Sequence, residues 1–138
     1  MNLPDPSINF FPVIAAAVIN MALGILWYSP VVFGKIWIKA MGKTAEESGN
    51  QANPLIYVIN TISSLIFAYI LAHIMKFASI DNFESGVIIG FWVWLGFVAT
   101  TVIPGYLYER RPKLLYFIFI FYQLFSICSM GGLLAVWK

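Results

Sequence analysis

Trp27-Tyr28-Ser29-Pro30-Val31-Val32-Phe33-Gly34-Lys35-Ile36-Trp37 marks the place where a long apolar run ends and an amphipathic aromatic segment begins. Trp and Tyr have flat, partly polar rings that favour the headgroup layer of a bilayer, and Pro30 lacks the N–H that a continuing helix needs. A first span is therefore expected to stop near Tyr28. Farther on, Phe33, Ile36, Trp37, Ala40 and Met41 recur at helical spacing while Lys35, Lys39 and Lys43 point elsewhere. That pattern predicts a helix over about residues 31–42 lying along the membrane surface. The corner residues Trp27, Tyr28, Pro30, Phe33, Gly34 and Trp37 then fix the depth of both pieces, with Gly34 permitting a turn that a side chain would hinder.

On either side of this corner the chain has more apolar surface than a soluble domain could cover, since 61% of its 138 residues are hydrophobic and 10% are charged. Four runs reach the roughly 20 helical residues needed to cross a bilayer core: Phe10–Tyr28, Pro54–Met75, Ser85–Tyr108 and Leu114–Trp137. The expected fold is a single all-α integral-membrane domain over residues 1–138. Its four transmembrane helices form two antiparallel hairpins, and the interfacial amphipathic helix follows the first. Asn9 suits an N-cap, and Pro12 is tolerated in a first turn. Met1 to Ser7 holds no Lys or Arg and no cleavage pattern follows, so the first run reads as a retained span rather than a signal peptide. The stretch Gly42–Asn53, with Glu46, Glu47, Ser48, Gly49 and Asn50, reads as a solvated loop, and Glu109–Lys113 as a tight turn.

Orientation follows from the basic residues of the short loops. Six of the eight, Lys35, Lys39, Lys43, Arg110, Arg111 and Lys113, fall on one side, and Lys76 and Lys138 on the other. Basic loops are retained in the cytoplasm, so both termini are expected outside a cell (cytoplasmic) membrane. The partner implied is the lipid bilayer. Basic residues spread over loops, without clustered Arg, argue against nucleic acid.

No carboxylate lies within a span: Asp5, Glu46, Glu47, Asp81, Glu84 and Glu109 sit in termini, loops or at helix ends. This removes the usual proton or cation relay of transporters, paired general acid–base groups and a hard-metal site. The polar groups at membrane depth are Asn20, Asn60, Ser63, Ser64, Thr100, Thr101, Gln123, Ser126 and Ser129. On helical spacing Asn20 and Gly24 share one face, Tyr57, Asn60, Ser63 and Ser64 another, and Gly86 and Gly90 form a GxxxG pair in line with Thr100. Two readings apply. In one these residues are interhelical glue; in the other Asn20, Asn60 and Gln123 line a polar cavity for a small solute or lipid headgroup. Pro104 is expected to kink the third span, with Thr100 or Thr101 bonding the freed carbonyls. His73 reads as an interfacial histidine near Asp81. Soft-metal pairs such as His73 with Met75 or Cys128 with Met130 lack a third convergent ligand, so no metal, cofactor or catalytic residue is assigned. Leu23-Gly24 before Pro30 and Leu95-Gly96 before Pro104 hint at an internal repeat.

With these stretches in hand the chain resembles the domain-of-unknown-function family 1761, small four-span membrane proteins found widely in bacteria. The matching segments are Gly24-x-x-Trp27-Tyr28-Ser29-Pro30-x-x-Phe33-Gly34-x-x-Trp37, Trp94-Leu95-Gly96-Phe97-Val98-Ala99-Thr100 and Met130-Gly131-Gly132-x-Leu134-Ala135-x-Trp137. In relatives helix four often has Tyr-His where this chain has Tyr122-Gln123. The resemblance implies architecture and location but no activity and no catalytic residue. The function expected is an accessory or self-associating structural protein, a homo-oligomer or the partner of another membrane protein, and not an enzyme. The alternative is a transporter or channel subunit with a polar interior near Asn20, Asn60 and Gln123.

Overall fold

The structure, a computed structural model, describes residues 7–42 and 53–138. It is all-helical among the described residues: α1 (Phe10–Trp27), α2 (Gly34–Ala40), α3 (Pro54–Phe77), α4 (Phe83–Val93), a π-helical segment (Trp94–Ala99), α5 (Thr100–Tyr108) and α6 (Lys113–Val136). Four stretches are long and apolar enough to cross a membrane: α1, α3, the continuous Phe83–Tyr108 and α6. Lys43, Glu46, Glu47, Ser48, Gly49 and Asn50 of the expected loop, and Asp5, lie outside the described residues.

Asparagine sets three of the helix starts. Asn9 Oδ1 accepts from the Phe11 amide at 3.1 Å, Asn53 Oδ1 from Leu55 at 3.0 Å, and Asn82 Oδ1 from Ser85 at 2.9 Å. Each takes up a first-turn N–H that has no intrahelical partner. The Asn82 cap moves the start of the third span forward from the expected Ser85 to Phe83. Two ends close with a 6→1 bond around a left-handed residue that is not glycine. Ile80 donates to the Met75 carbonyl around Ser79 (φ 54°), and Arg111 to the Tyr106 carbonyl around Arg110 (φ 52°).

At the corner α1 ends at Trp27, and residues 28–33 turn the chain before α2 begins at Gly34, so the second helix is shorter than the expected 31–42. The Phe33 amide donates to Trp27 O at 3.0 Å and the Gly34 amide to Ser29 O at 2.8 Å. Gly34 is buried, and a Cβ there would overlap the Tyr28 carbonyl oxygen and lie 2.7 Å from Ser29 C. Its role is close approach of backbone to backbone.

α6 is the hub, touching every other helix, while α1 also packs on α3. The buried cluster is built largely from alanine: Ala16 and Ala17 of α1, Ala68 and Ala72 of α3 and Ala135 of α6, with Leu71, Met75, Ile127 and Met130 filling between them. The most extensive contact joins α4 to α6. A Cβ on Gly86 would overlap the Gly131 carbonyl oxygen and approach Ala135 Cβ at 2.6 Å; one on Gly90 would meet Ile127 O at 2.8 Å. These glycines let two backbones touch where leucines would hold them apart. The outward faces remain apolar, with Ile14, Val18, Ile62, Ile66, Phe97 and Phe125 all exposed.

The irregularity of the third span lies upstream of Pro104, not at it. The α register breaks at Trp94–Ala99, and Pro104 sits inside α5. The reason is local bonding: Thr100 Oγ1 donates to Gly96 O and Thr101 Oγ1 to Phe97 O, both at 2.6 Å, so the hydroxyls serve carbonyls of the π segment rather than the one Pro104 frees. Trp94 Nε1 donates across to Ile120 O at 2.9 Å, and Tyr116 Oη to Ala99 O at 3.0 Å, which pins both ends of the segment to α6.

Candidate functional site

The polar side chains that meet at membrane depth come from α1, α3 and α6. Asn20, midway along α1, is the centre: its Nδ2 donates to Ser64 Oγ at 2.6 Å, and its Oδ1 accepts from Ser126 Oγ at 2.6 Å and from Tyr122 Oη at 2.9 Å. The Tyr122 hydroxyl lies equally close, 2.9 Å, to the Asn20 backbone carbonyl. Ser64 and Ser126 are buried, and no buried side-chain nitrogen or oxygen among the described residues lacks a partner. Gly24, one turn below Asn20, makes room for this crossing. A Cβ there would stand 3.0 Å from Tyr122 Oη.

The cluster continues into the corner through aromatic contacts. Tyr122 meets Tyr28 edge-on at 5.8 Å between ring centroids, and Tyr28 meets Trp37 edge-on at 5.5 Å. Trp27 packs on Phe33 at 4.8 Å and on Phe125 at 5.6 Å, and its Nε1 donates to Ile118 O at 2.9 Å. The indole bond and the ring contacts tie the corner to the first half of α6. Burial, with smaller contributions from Tyr106 and Tyr122, holds the Tyr28 hydroxyl well above the usual tyrosine range, so it stays a neutral donor.

Of the residues expected to line an interior, Asn20, Gly24 and Ser64 come together here, while Gly86 and Gly90 are buried against α6. Asn60 is on the exposed face of α3, and Thr100 is exposed on α5. Gln123 is half-buried and takes no part in the cluster. The alternative grouping of Asn20, Asn60 and Gln123 is therefore not brought together. The physical reason is the helical phase of α6: Tyr122, Ser126 and Met130 at i, i+4 and i+8 share the inward row, and Gln123 is turned about 100° from it. Tyr122 is what the sequence reading missed. Its signal was that row, with Ser126 Oγ also lying 3.7 Å from Met130 Sδ.

His73 stands apart, its Nδ1 3.0 Å from the Tyr69 carbonyl and its ring edge-on to Tyr69 at 4.4 Å. Its ring is held between Tyr69 and Phe77, the latter at 5.9 Å between centroids. No group of three or more His, Cys, Asp or Glu side chains converges among the described residues. Chemically, the Asn20 cluster can exchange hydrogen bonds but holds no carboxylate, imidazole or thiol.

No curated protein and no solved structure matches this chain. Residues 11–135 match the family described as protein of unknown function (DUF1761), a span that takes in the corner, the π segment and the Gly86–Gly131 contact. The chain belongs to that family, DUF1761.

Proposed function

We propose that this chain is a multi-pass protein of the cell membrane with a structural role, a locked helical scaffold that associates with its own copies or with another membrane protein, and not an enzyme or a solute pathway. The observation that carries this reading is the closure of the Asn20 cluster. A pathway needs polar groups that trade partners with a passing solute, whereas Asn20, Ser64, Tyr122 and Ser126 satisfy one another and Asn60 faces outward. Association is supported by the π segment and α5, where a Cβ on Gly96 or Gly105 would meet open space.

In this reading the four spans form two antiparallel hairpins and α2 lies along the inner surface, with Lys35 and Ile36 exposed on it. Both termini face out. Lys35 and Lys39 leave the corner at the end where Trp27 bonds Ile118, whereas Lys76 and Lys138 line a small cavity of about 50 Å³ with Ser7 at the opposite end. Cysteine accessibility tests the closure. With Cys128 replaced by Ser, single cysteines at positions 20, 64 and 126 are expected to resist a membrane-impermeant thiol reagent from either side. Rapid labelling of any of them would show a water-filled path and end the scaffold reading. Association is read by cross-linking from a cysteine at position 96, where monomers at every protein density would count against it.

A further inference from the structure

We propose that the cleft between α5 and α6, at the end of the molecule that carries their connecting turn, is a binding site for one anionic phospholipid. The cleft is open on one side and has a volume of about 370 Å³, within the range of small-molecule sites. Its rim holds three cations, Arg110, Arg111 and Lys113. Its apolar walls are Ile103, Leu107 and Phe117, and Leu107 and Ile103 lie about one and two turns up α5 from the rim. Charge at the mouth and hydrocarbon along the walls match the two ends of a lipid, a phosphodiester at headgroup level and an acyl chain beneath it.

The turn between α5 and α6 places these groups. The left-handed Arg110 reverses the chain after α5, and Arg111 closes the turn by donating its amide to Tyr106 O, so both guanidinium groups leave the same end as Lys113, the first residue of α6. Arg111 is already oriented: its Nε is 2.6 Å from Glu109 Oε2 and its guanidinium lies 5.6 Å from the centre of the Tyr106 ring. Glu109 neutralises one charge, which leaves the turn with a surplus of two to be met by a ligand. Tyr106 and Tyr116 meet edge-on at 5.5 Å, and the Tyr116 hydroxyl is spent on Ala99 O, so the base of the cleft is an aromatic floor rather than a polar channel. The first turn of α6 has no side-chain cap, and its free amides add partial positive charge beside Lys113. An ordinary interfacial basic turn would attract anionic lipid diffusely. Here a walled cleft leads away from the cations, which calls for a single resident lipid.

The site rests on the chain spanning a bilayer but not on its being a locked scaffold. The test is native mass spectrometry of the full chain released from nanodiscs of equimolar phosphatidylglycerol and phosphatidylcholine. The parent is expected to retain one phosphatidylglycerol in clear preference to phosphatidylcholine. Arg110→Gln with Lys113→Gln should lower that preference by about thirtyfold, the worth of two basic side chains near an anionic surface. Lys35→Gln with Lys39→Gln, on the same end but outside the cleft, should leave it unchanged. Leu107→Trp, which fills the cleft and keeps every charge, should also abolish retention while circular dichroism stays that of the parent. Equal retention of the two lipids by the parent overturns the proposal, as does an equal loss in the Lys35/Lys39 pair, which would indicate surface charge alone. A thermal stabilisation by inorganic phosphate in neutral detergent as large as that by short-chain phosphatidylglycerol would overturn the lipid as occupant. Failure to enter nanodiscs would instead strike at the membrane-spanning reading beneath it.

Discussion

Truncating Asn20 to alanine should destabilise the bundle by about 1–2 kcal/mol, and the number follows from what each partner can do afterwards. The side chain makes three hydrogen bonds, to Ser64, Ser126 and Tyr122. Interhelical hydrogen bonds in membrane proteins average about 0.6 kcal/mol and reach about 1.7. Tyr122 loses least, because its hydroxyl already lies 2.9 Å from the Asn20 backbone carbonyl, which survives the substitution. Ser64 and Ser126 can fold back onto carbonyls of their own helices and recover part of their loss. The assay is reversible unfolding in mixed micelles, run as a double-mutant cycle with Ser126→Ala and with Tyr122→Phe. Coupling of about 0.6 kcal/mol or more is expected for Asn20 with Ser126, and less for Asn20 with Tyr122. If Asn20→Ala unfolds at the parent's midpoint, or the Ser126 cycle is additive within about 0.3 kcal/mol, the cluster does not lock the helices and the scaffold argument loses its base.

Three further outcomes are expected. Gly90→Ala should cost about 1–3 kcal/mol because its Cβ meets the Ile127 carbonyl at 2.8 Å, whereas Gly105→Ala, with open space around it, should be neutral or stabilise by up to about 1 kcal/mol; equal unfolding midpoints would refute the close contact of α4 with α6. Ser79→Gly should stabilise by about 1 kcal/mol, since Ser79 holds the left-handed conformation that closes α3, and a lower midpoint would show that its side chain matters more than its φ. The raised Tyr28 hydroxyl means the folded chain keeps a proton that the unfolded chain loses near pH 10, so this contribution is complete below that pH and fades above it; unfolding midpoints at pH 8 and pH 11 should differ less in Tyr28→Phe than in the parent, and an equal difference would remove Tyr28 from the account.

The spans and the corner were legible because both depend on local chemistry. Apolar length decides whether a helix can cross, and the Pro30 and Gly34 constraints act within a few residues of themselves. The Asn9 cap was equally local, and it formed. The cluster was only half legible. Asn20 and Ser64 are polar residues on faces rich in small residues, so helical phase could single them out, but phase alone did not say that Asn60, one turn from Ser64, would face outward. That choice is made by alanine: Ala68 and Ala72 continue the row of Ser64 and let α3 close on α1 and α6 along that line. Pro104 misled for a related reason. A proline is visible in sequence, whereas the bonds that loosen the helix at Trp94–Ala99 reach across to Ile120 and Tyr116 and exist only once α6 is beside it.

The three stretches that carried the family resemblance now share a physical explanation, since two are fitted to α6 and the third is the part of α6 that receives α4. The corner is tied to it by the Trp27 indole on Ile118 O, the π segment by the Trp94 indole on Ile120 O, and Met130–Trp137 by glycines that admit α4 and by Met130 and Ala135 in the core. Two indoles thus donate to carbonyls only two residues apart on one helix, from opposite neighbours. An α-helical carbonyl already accepts one bond from within its helix and has a second lone pair to offer, so neither indole disrupts α6 while both fix how far the flanking helices can slide along it. The π segment follows from that constraint. It inserts slack into the third span, and that slack lets Gly86 and Gly90 stay in register with Gly131 and Ile127 above it while Trp94 and Ala99 keep their bonds to α6 along it. A chain selected only to cross a bilayer has no need of such fitting. One that must hold a fixed helical arrangement does, and the closed Asn20 cluster and the pinned π segment both hold that arrangement, as the proposed scaffold would need.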